Sequence, residues 1–134
     1  MKLLLDTHIL LWALADDPRL PVKARKMIVN PDNEIYYSIV SPWEVEIKRG
    51  AHPKEMPIGA QELVRFCIES GFQRLPVREE HIYFLRTLHR PETAPPHHDP
   101  FDRIMVCQCM ADNLVFLTHD SLIAGYDEPC VFAV

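Results

Sequence analysis

Apolar and polar positions along this chain fall into short blocks whose period keeps switching. Met1-Lys2-Leu3-Leu4-Leu5-Asp6 is an apolar run closed by an acid, the pattern of a strand buried on both faces. Thr7 to Ala15 is apolar on nearly every turn and predicts a helix, stopped by Asp16-Asp17-Pro18. Val22 to Asn30 predicts a short amphipathic helix with Lys23, Arg25 and Lys26 outward, and Pro31-Asp32-Asn33 a turn. Glu34 to Val40, β-branched and aromatic, is a second strand. Ser41-Pro42-Trp43-Glu44 opens a helix to about Arg49, with Gly50 as its stop, and Pro53 to Pro57 is loop. Gly59 to Ser70 places Leu63, Val64, Cys67 and Ile68 on one helical face, and Gly71 ends it. Phe72 to Val77 is a third strand and Arg78 to Leu88 a further helix. His89 to Pro100 has no period and reads as a long loop, a kind that is often functional. Phe101 to Ala111, apolar nearly all round, is a buried helix. Asn113 to Thr118 is a fourth strand, Ser121 to Ala124 a helical turn, and Cys130 to Val134 a fifth strand.

Strands alternating with helices imply right-handed crossovers and a parallel sheet covered on both faces. With no repeat and no second block of composition, residues 1–134 read as one α/β domain. At 134 residues and 48% hydrophobic, the chain can bury a core without disulfides and is too apolar for a disordered tail. No apolar run reaches the roughly 18–20 residues of a membrane span. Cys67, Cys107, Cys109 and Cys130 include no C-x-x-C pair, so they are expected as reduced, buried thiols of a cytoplasmic protein rather than a zinc site. Ala13-Leu14-Ala15 after an apolar run imitates a signal-peptide cleavage site, but Asp6 and His8 interrupt that run, so export is not expected. The net charge of −5 argues against a basic nucleic-acid face, yet bound divalent cations can supply positive charge locally for a phosphate substrate.

In parallel α/β sheets, ligands bind beyond the C-terminal strand ends. Asp6, Glu44, Asp99, Asp102 and Asp120 all belong to that edge, from four separate junctions. Each acid has a local explanation. Ser41-x-x-Glu44 has the form of a capping box. Asp99-Pro100 is an N-cap followed by proline at the first helical position, and Asp102 suits the positive helix end. Asp6 and Asp120 are placed to cap the segments after them. Jointly they demand more. If the first and fourth strands are neighbours, these carboxylates converge, and carboxylates within about 4–6 Å repel and raise one another's pKa. The natural compensation is a hard cation on oxygen ligands, Mg²⁺ or Mn²⁺.

The chain resembles the PIN-domain ribonucleases and, within them, VapC-type toxins of toxin–antitoxin pairs. The matching stretches are Leu5-Asp6-Thr7-His8 with Leu10-Leu11-Trp12, Ser41 to Lys48, Asp99-Pro100-Phe101-Asp102-Arg103, and Leu117-Thr118-His119-Asp120, in order over essentially the whole chain. Ala51 to Pro57 departs from the family's usual glycine-lysine turn. The resemblance implies a three-layer α/β/α sandwich with a five-stranded parallel sheet. It also implies Mg²⁺- or Mn²⁺-dependent cleavage of RNA, a homodimer, and a cognate antitoxin that fills the acidic groove. By that resemblance Asp6 and Asp102 ligate the metal, while Glu44, Asp99 and Asp120 hold a second ion or position the attacking water. Asp99 and Asp102 lie three apart and can exchange roles.

Some neighbours carry two readings. Thr118 either orients Asp120 or a phosphate, or is an ordinary strand residue. Lys48 lies four after Glu44, so it serves an ion pair or an RNA contact. Arg103 meets a phosphate or is paired within the protein. His97-His98-Asp99 lacks zinc spacing and reads as a loop feature at the rim. Trp12 reads as core or dimer interface rather than a base-stacking platform. No phosphate loop, dinucleotide fingerprint or serine elbow is present. The alternatives are a non-catalytic PIN-like binding module and a phosphate-handling α/β switch. A switch domain needs adjacent acids or Asp-x-Asp near the first strand end, where Thr7 and His8 stand instead.

Overall fold

In a computed structural model describing residues 1–134, the expected strands assemble into one five-stranded sheet. The strands are β1 (Lys2–Leu5), β2 (Glu34–Ser38), β3 (Gln73–Leu75), β4 (Val115–Thr118) and β5 (Val131–Ala133). Their order is β3-β2-β1-β4-β5, and every pairing is parallel. β1 therefore lies at the centre, which is why its Leu3, Leu4 and Leu5 are fully buried.

The helices are α1 (Thr7–Leu14), α2 (Val22–Val29), α3 (Val40–Ala51), α4 (Ala60–Glu69), α5 (Glu79–Tyr83), α6 (Pro100–Asp112) and α7 (Ser121–Ala124). Side chains alternate across a strand. Leu3, Leu5, Ile35, Tyr37 and Leu117 pack one face against Ile9 and Leu10 of α1, Ala24 of α2 and Leu63 and Cys67 of α4. Leu4 and Phe116 face the other way, onto Met105, Val106 and Cys109 of α6 and Ile123 of α7. The result is three layers, with α3 at the sheet edge sending Val45 into one core and Val40 into the other. No helix is long and apolar enough to cross a membrane.

Five local expectations need correction. Gly50 does not stop α3, which runs on to Ala51 and ends at His52. Ser41 is not an N-cap: the helix starts at Val40, and Ser38 Oγ accepts from the Val40 amide instead. Ile68 is 65% exposed, so only Leu63 and Cys67 of the expected α4 face are buried. The helix expected over Arg78–Leu88 is a short α5 tightened into a 3₁₀ turn at Phe84–Thr87. The fully buried His81 organises this piece: its Nδ1 accepts from the Arg78 amide and its Nε2 meets Asp112 at 2.9 Å. Asn113 adopts a left-handed conformation (φ 57°) and ends α6, so β4 begins only at Val115.

All four cysteines are free; three are buried and Cys130 is half-buried. Burial pushes the Cys67 and Cys107 thiols up to about 12 and the Cys130 thiol up to about 11, which suits packing rather than chemistry.

Candidate functional site

The sheet brings Asp6 and Asp120 together because β1 and β4 are neighbours in register, with Leu5 opposite Leu117. The Asp6 amide donates to the Leu117 carbonyl at 3.0 Å, carrying the pairing one residue past β1. Asp6 caps α1, one oxygen accepting from the Ile9 amide at 3.0 Å; its other oxygen accepts from the Thr118 hydroxyl. Thr118 Oγ1 also accepts from the Asp120 amide at 3.0 Å. Thr118 is thus a buried clamp between the Asp6 carboxylate and the Asp120 backbone.

Asp120 caps α7 through the Leu122 amide at 2.8 Å. Asp99 caps α6, accepting from the Phe101 and Asp102 amides at 2.9 and 3.1 Å. Asp6, Asp99 and Asp120 are therefore N-caps of three helices, whose positive ends favour negative charge. Capping occupies one oxygen of Asp99 and of Asp120, so the local and the joint readings of these acids hold together. Glu44 is different. With α3 starting at Val40, it lies past the first turn, and its Oε1 accepts from Thr7 Oγ1 at 2.8 Å. Thr7 is in turn 2.9 Å from Ser41 Oγ.

The five carboxylates Asp6, Glu44, Asp99, Asp102 and Asp120 line one cavity of about 90 Å³, together with Thr7, His8 and Ile123. At roughly 30 Å³ per water in the liquid, this volume suits ions and a few waters, not a nucleobase. A larger cleft of about 350 Å³ opens on the other side of His8, beside Trp12, Arg19, Lys48 and Phe66. Lys48 belongs to that cleft, and Trp12 packs at its wall with the His8 and His119 rings 5.9 and 6.0 Å away.

Crowding of charge is visible in the acids themselves. Asp102 is pushed up to about 8, by burial first and then by Asp99, Glu44, Asp6 and Asp120. Glu44 is raised, chiefly by burial, with Asp99 and Asp6 adding to it against the Thr7 hydrogen bond. Asp6 is raised by burial despite its bond from Thr118. No three His, Cys, Asp or Glu side chains already stand in ligating geometry. Asp6 and Glu44 accept from the Thr118 and Thr7 hydroxyls, which offsets part of their burial. The five carboxylates offer only oxygen, so the set fits a hard divalent cation better than zinc or a soft metal.

Sequence reasoning missed three contributors. Thr7 holds Glu44. His8 lines the cavity. His97, taken as a rim feature, is buried, with Nε2 3.1 Å from Asp102 Oδ2 and Nδ1 2.7 Å from the Tyr126 hydroxyl. Burial and then Arg90 lower the His97 pKa. The only signal for His97 was its position two before Asp99. Arg103 donates to the Tyr126 hydroxyl at 3.1 Å, so it is paired within the protein.

The chain is thus a five-stranded parallel α/β/α sandwich with an acid-lined cavity at the C-terminal strand ends. The PIN domain family model matches residues 3–129, and the chain belongs to that family. Two solved structures share the fold. The complex VapBC2 from Rickettsia felis, bound to a DNA fragment from its promoter, contains a chain 17% identical with a TM-score of 0.66, covering 100% of this chain and 98% of that one. VapBC-1 from nontypeable Haemophilus influenzae contains a chain 15% identical with a TM-score of 0.57, covering 90% of this chain and 88% of that one. No curated protein sequence matches the chain.

Proposed function

We propose that this chain is a metal-dependent endoribonuclease, the VapC-type toxin of a toxin–antitoxin pair, working as a homodimer. The observation that carries the reading is the cavity lined by five carboxylates, in which Asp102 is held up to about 8 by burial first and then by its acidic neighbours. Family membership and the fold shared with VapBC complexes support it.

Asp6 and Asp102 would hold a Mg²⁺ or Mn²⁺ ion directly. Glu44, Asp99 and Asp120 would hold a second ion or orient the attacking water. When bound, the ion supplies charge to a phosphoryl oxygen and makes a water more acidic. Thr118 and Thr7 keep Asp6 and Glu44 in place. The N-termini of α1, α6 and α7 offset charge at the cavity, as helix N-termini do for phosphates. The small cavity would admit the ion while RNA lies across its mouth, with Lys48 and Arg19 of the adjoining cleft available to its phosphates. An antitoxin segment would occupy the same acidic mouth.

The test is RNA cleavage with and without Mg²⁺ or Mn²⁺. Asp6→Asn and Asp102→Asn are each expected to lower the rate by on the order of 10²-fold or more, as removal of a group that stabilises developing charge does. EDTA is expected to abolish cleavage. Full activity of both variants, or in EDTA, overturns the reading, and so does cleavage unaffected by a co-expressed antitoxin that binds the chain.

A further inference from the structure

We propose that His97 is a positioning residue for Asp102, the last link of a one-way hydrogen-bond chain that runs from Arg103 through Tyr126 and His97. The inference rests on the metal-site reading above and adds to it a residue and a tautomer.

The direction follows from counting protons. A guanidinium only donates, so the 3.1 Å contact of Arg103 Nη1 with Tyr126 uses a lone pair of the phenol oxygen. Tyr126 is buried, and the other partner of its hydroxyl is His97 Nδ1 at 2.7 Å. The phenol proton therefore goes to Nδ1, which must be bare to accept it. A neutral imidazole then carries its hydrogen on Nε2, and that nitrogen faces Asp102 Oδ2 at 3.1 Å. Every link has one donor and one acceptor, and the chain ends on Asp102 Oδ2 as the acceptor, any carboxyl proton residing on Oδ1. Asp102 Oδ2 is thereby fixed, and Oδ1 is left without a protein donor at the acid cavity.

The ring itself is held. His97 and Tyr126 pack edge to face with centroids 5.3 Å apart. The Arg90 guanidinium lies 4.9 Å over the Tyr126 ring and donates through Nε to the Pro95 carbonyl and through Nη1 to the Leu122 carbonyl. Gly125 leaves room for it: a Cβ there would stand 2.8 Å from Arg90 Nη1. The long loop is thus pinned to α7, so that His97 meets Asp102 from behind. Asp102 needs that restraint. Four like-charged neighbours press on it, and the other four cluster acids are held by backbone caps or threonine hydroxyls. A group that orients a ligand in this way acts on metal affinity as well as on rate.

The experiment measures Mn²⁺ binding by calorimetry and the His97 ring by ¹⁵N NMR of the metal-free protein. The wild-type ring should show the Nε2–H tautomer. His97→Phe, which keeps a packed ring without a donor, should weaken Mn²⁺ binding roughly 10–100-fold. His97→Gln, whose amide can still donate, should recover a large part of that loss. An Nδ1–H ring overturns the inference, and it remains decisive if the Phe variant fails to fold. Wild-type affinity in folded His97→Phe, or no recovery in His97→Gln, also overturns it while leaving the metal site standing. A wild-type protein that takes up no Mn²⁺ removes the metal-site reading and this role together.

Discussion

At the scale of the residue, a carboxylate has two oxygens. Asp99 and Asp120 give one to a helix N-terminus and keep the other free of protein donors, so capping leaves an oxygen for the proposed metal. Thr118 does the least replaceable work among the uncharged residues. Its hydroxyl donates to Asp6 and accepts from the Asp120 amide, inside a fully buried environment. Thr118→Val keeps the shape and removes both bonds, and is expected to cost about 1.5–3 kcal/mol, the range for hydrogen bonds to charged groups. Urea unfolding measures it; Thr118→Ser should keep most of the stability, and an unchanged midpoint for the valine variant would refute the clamp. The five acids were readable from their positions at strand ends. Thr7 with Glu44 and His97 with Tyr126 were not, because those partners lie 37 and 29 residues apart and no local pattern links them.

At the scale of the element, α3 decides where Glu44 points. Its start at Val40, two residues earlier than the Ser41-x-x-Glu44 spacing suggests, removes the capping box and turns Ser41 and Glu44 towards Thr7. The cause is tertiary: Val40 is buried against α6 and Ser38 Oγ takes over as acceptor for its amide. The far end of α3 differs from expectation for a related reason. Gly50 sits within the helix, its Cβ position open to solvent, with no contact demanding glycine. Gly50→Ala is therefore expected to stabilise the protein by about 0.5–1 kcal/mol, at the lower end of that range because the helix frays there. Thermal unfolding checks it; a destabilised variant would show that the turn after Ala51 needs glycine.

At the scale of the whole molecule, the parallel sheet collects negative charge at one edge, and that charge has a pH signature. With Asp102 held up to about 8, the folded protein keeps a proton that the unfolded chain, near 3.9, has already lost. Between those values the folded state binds more protons, so stability falls as pH rises and the contribution is gone above about 8. Asp6 and Glu44, both raised, act with the same sign. At ~1.4 kcal/mol per unit the swing is on the order of a few kcal/mol. In EDTA the Tm is expected to drop between about pH 5 and pH 8. Saturating Mn²⁺ should raise it, and most at the alkaline end, because a cation replaces the missing protons. A flat profile in EDTA would mean that neither burial nor crowding raises these acids.

The sequence by itself determined the alternation of strands and helices, the central buried strand and the list of acids, because these depend on local period and on which residue types cap a helix. Only the tertiary structure decided that β1 and β4 are neighbours, that Glu44 is free of its cap, and that a buried histidine stands behind Asp102. Those outcomes are set by contacts between residues remote in sequence, where the geometry of packing, not the order of the chain, fixes which groups can meet.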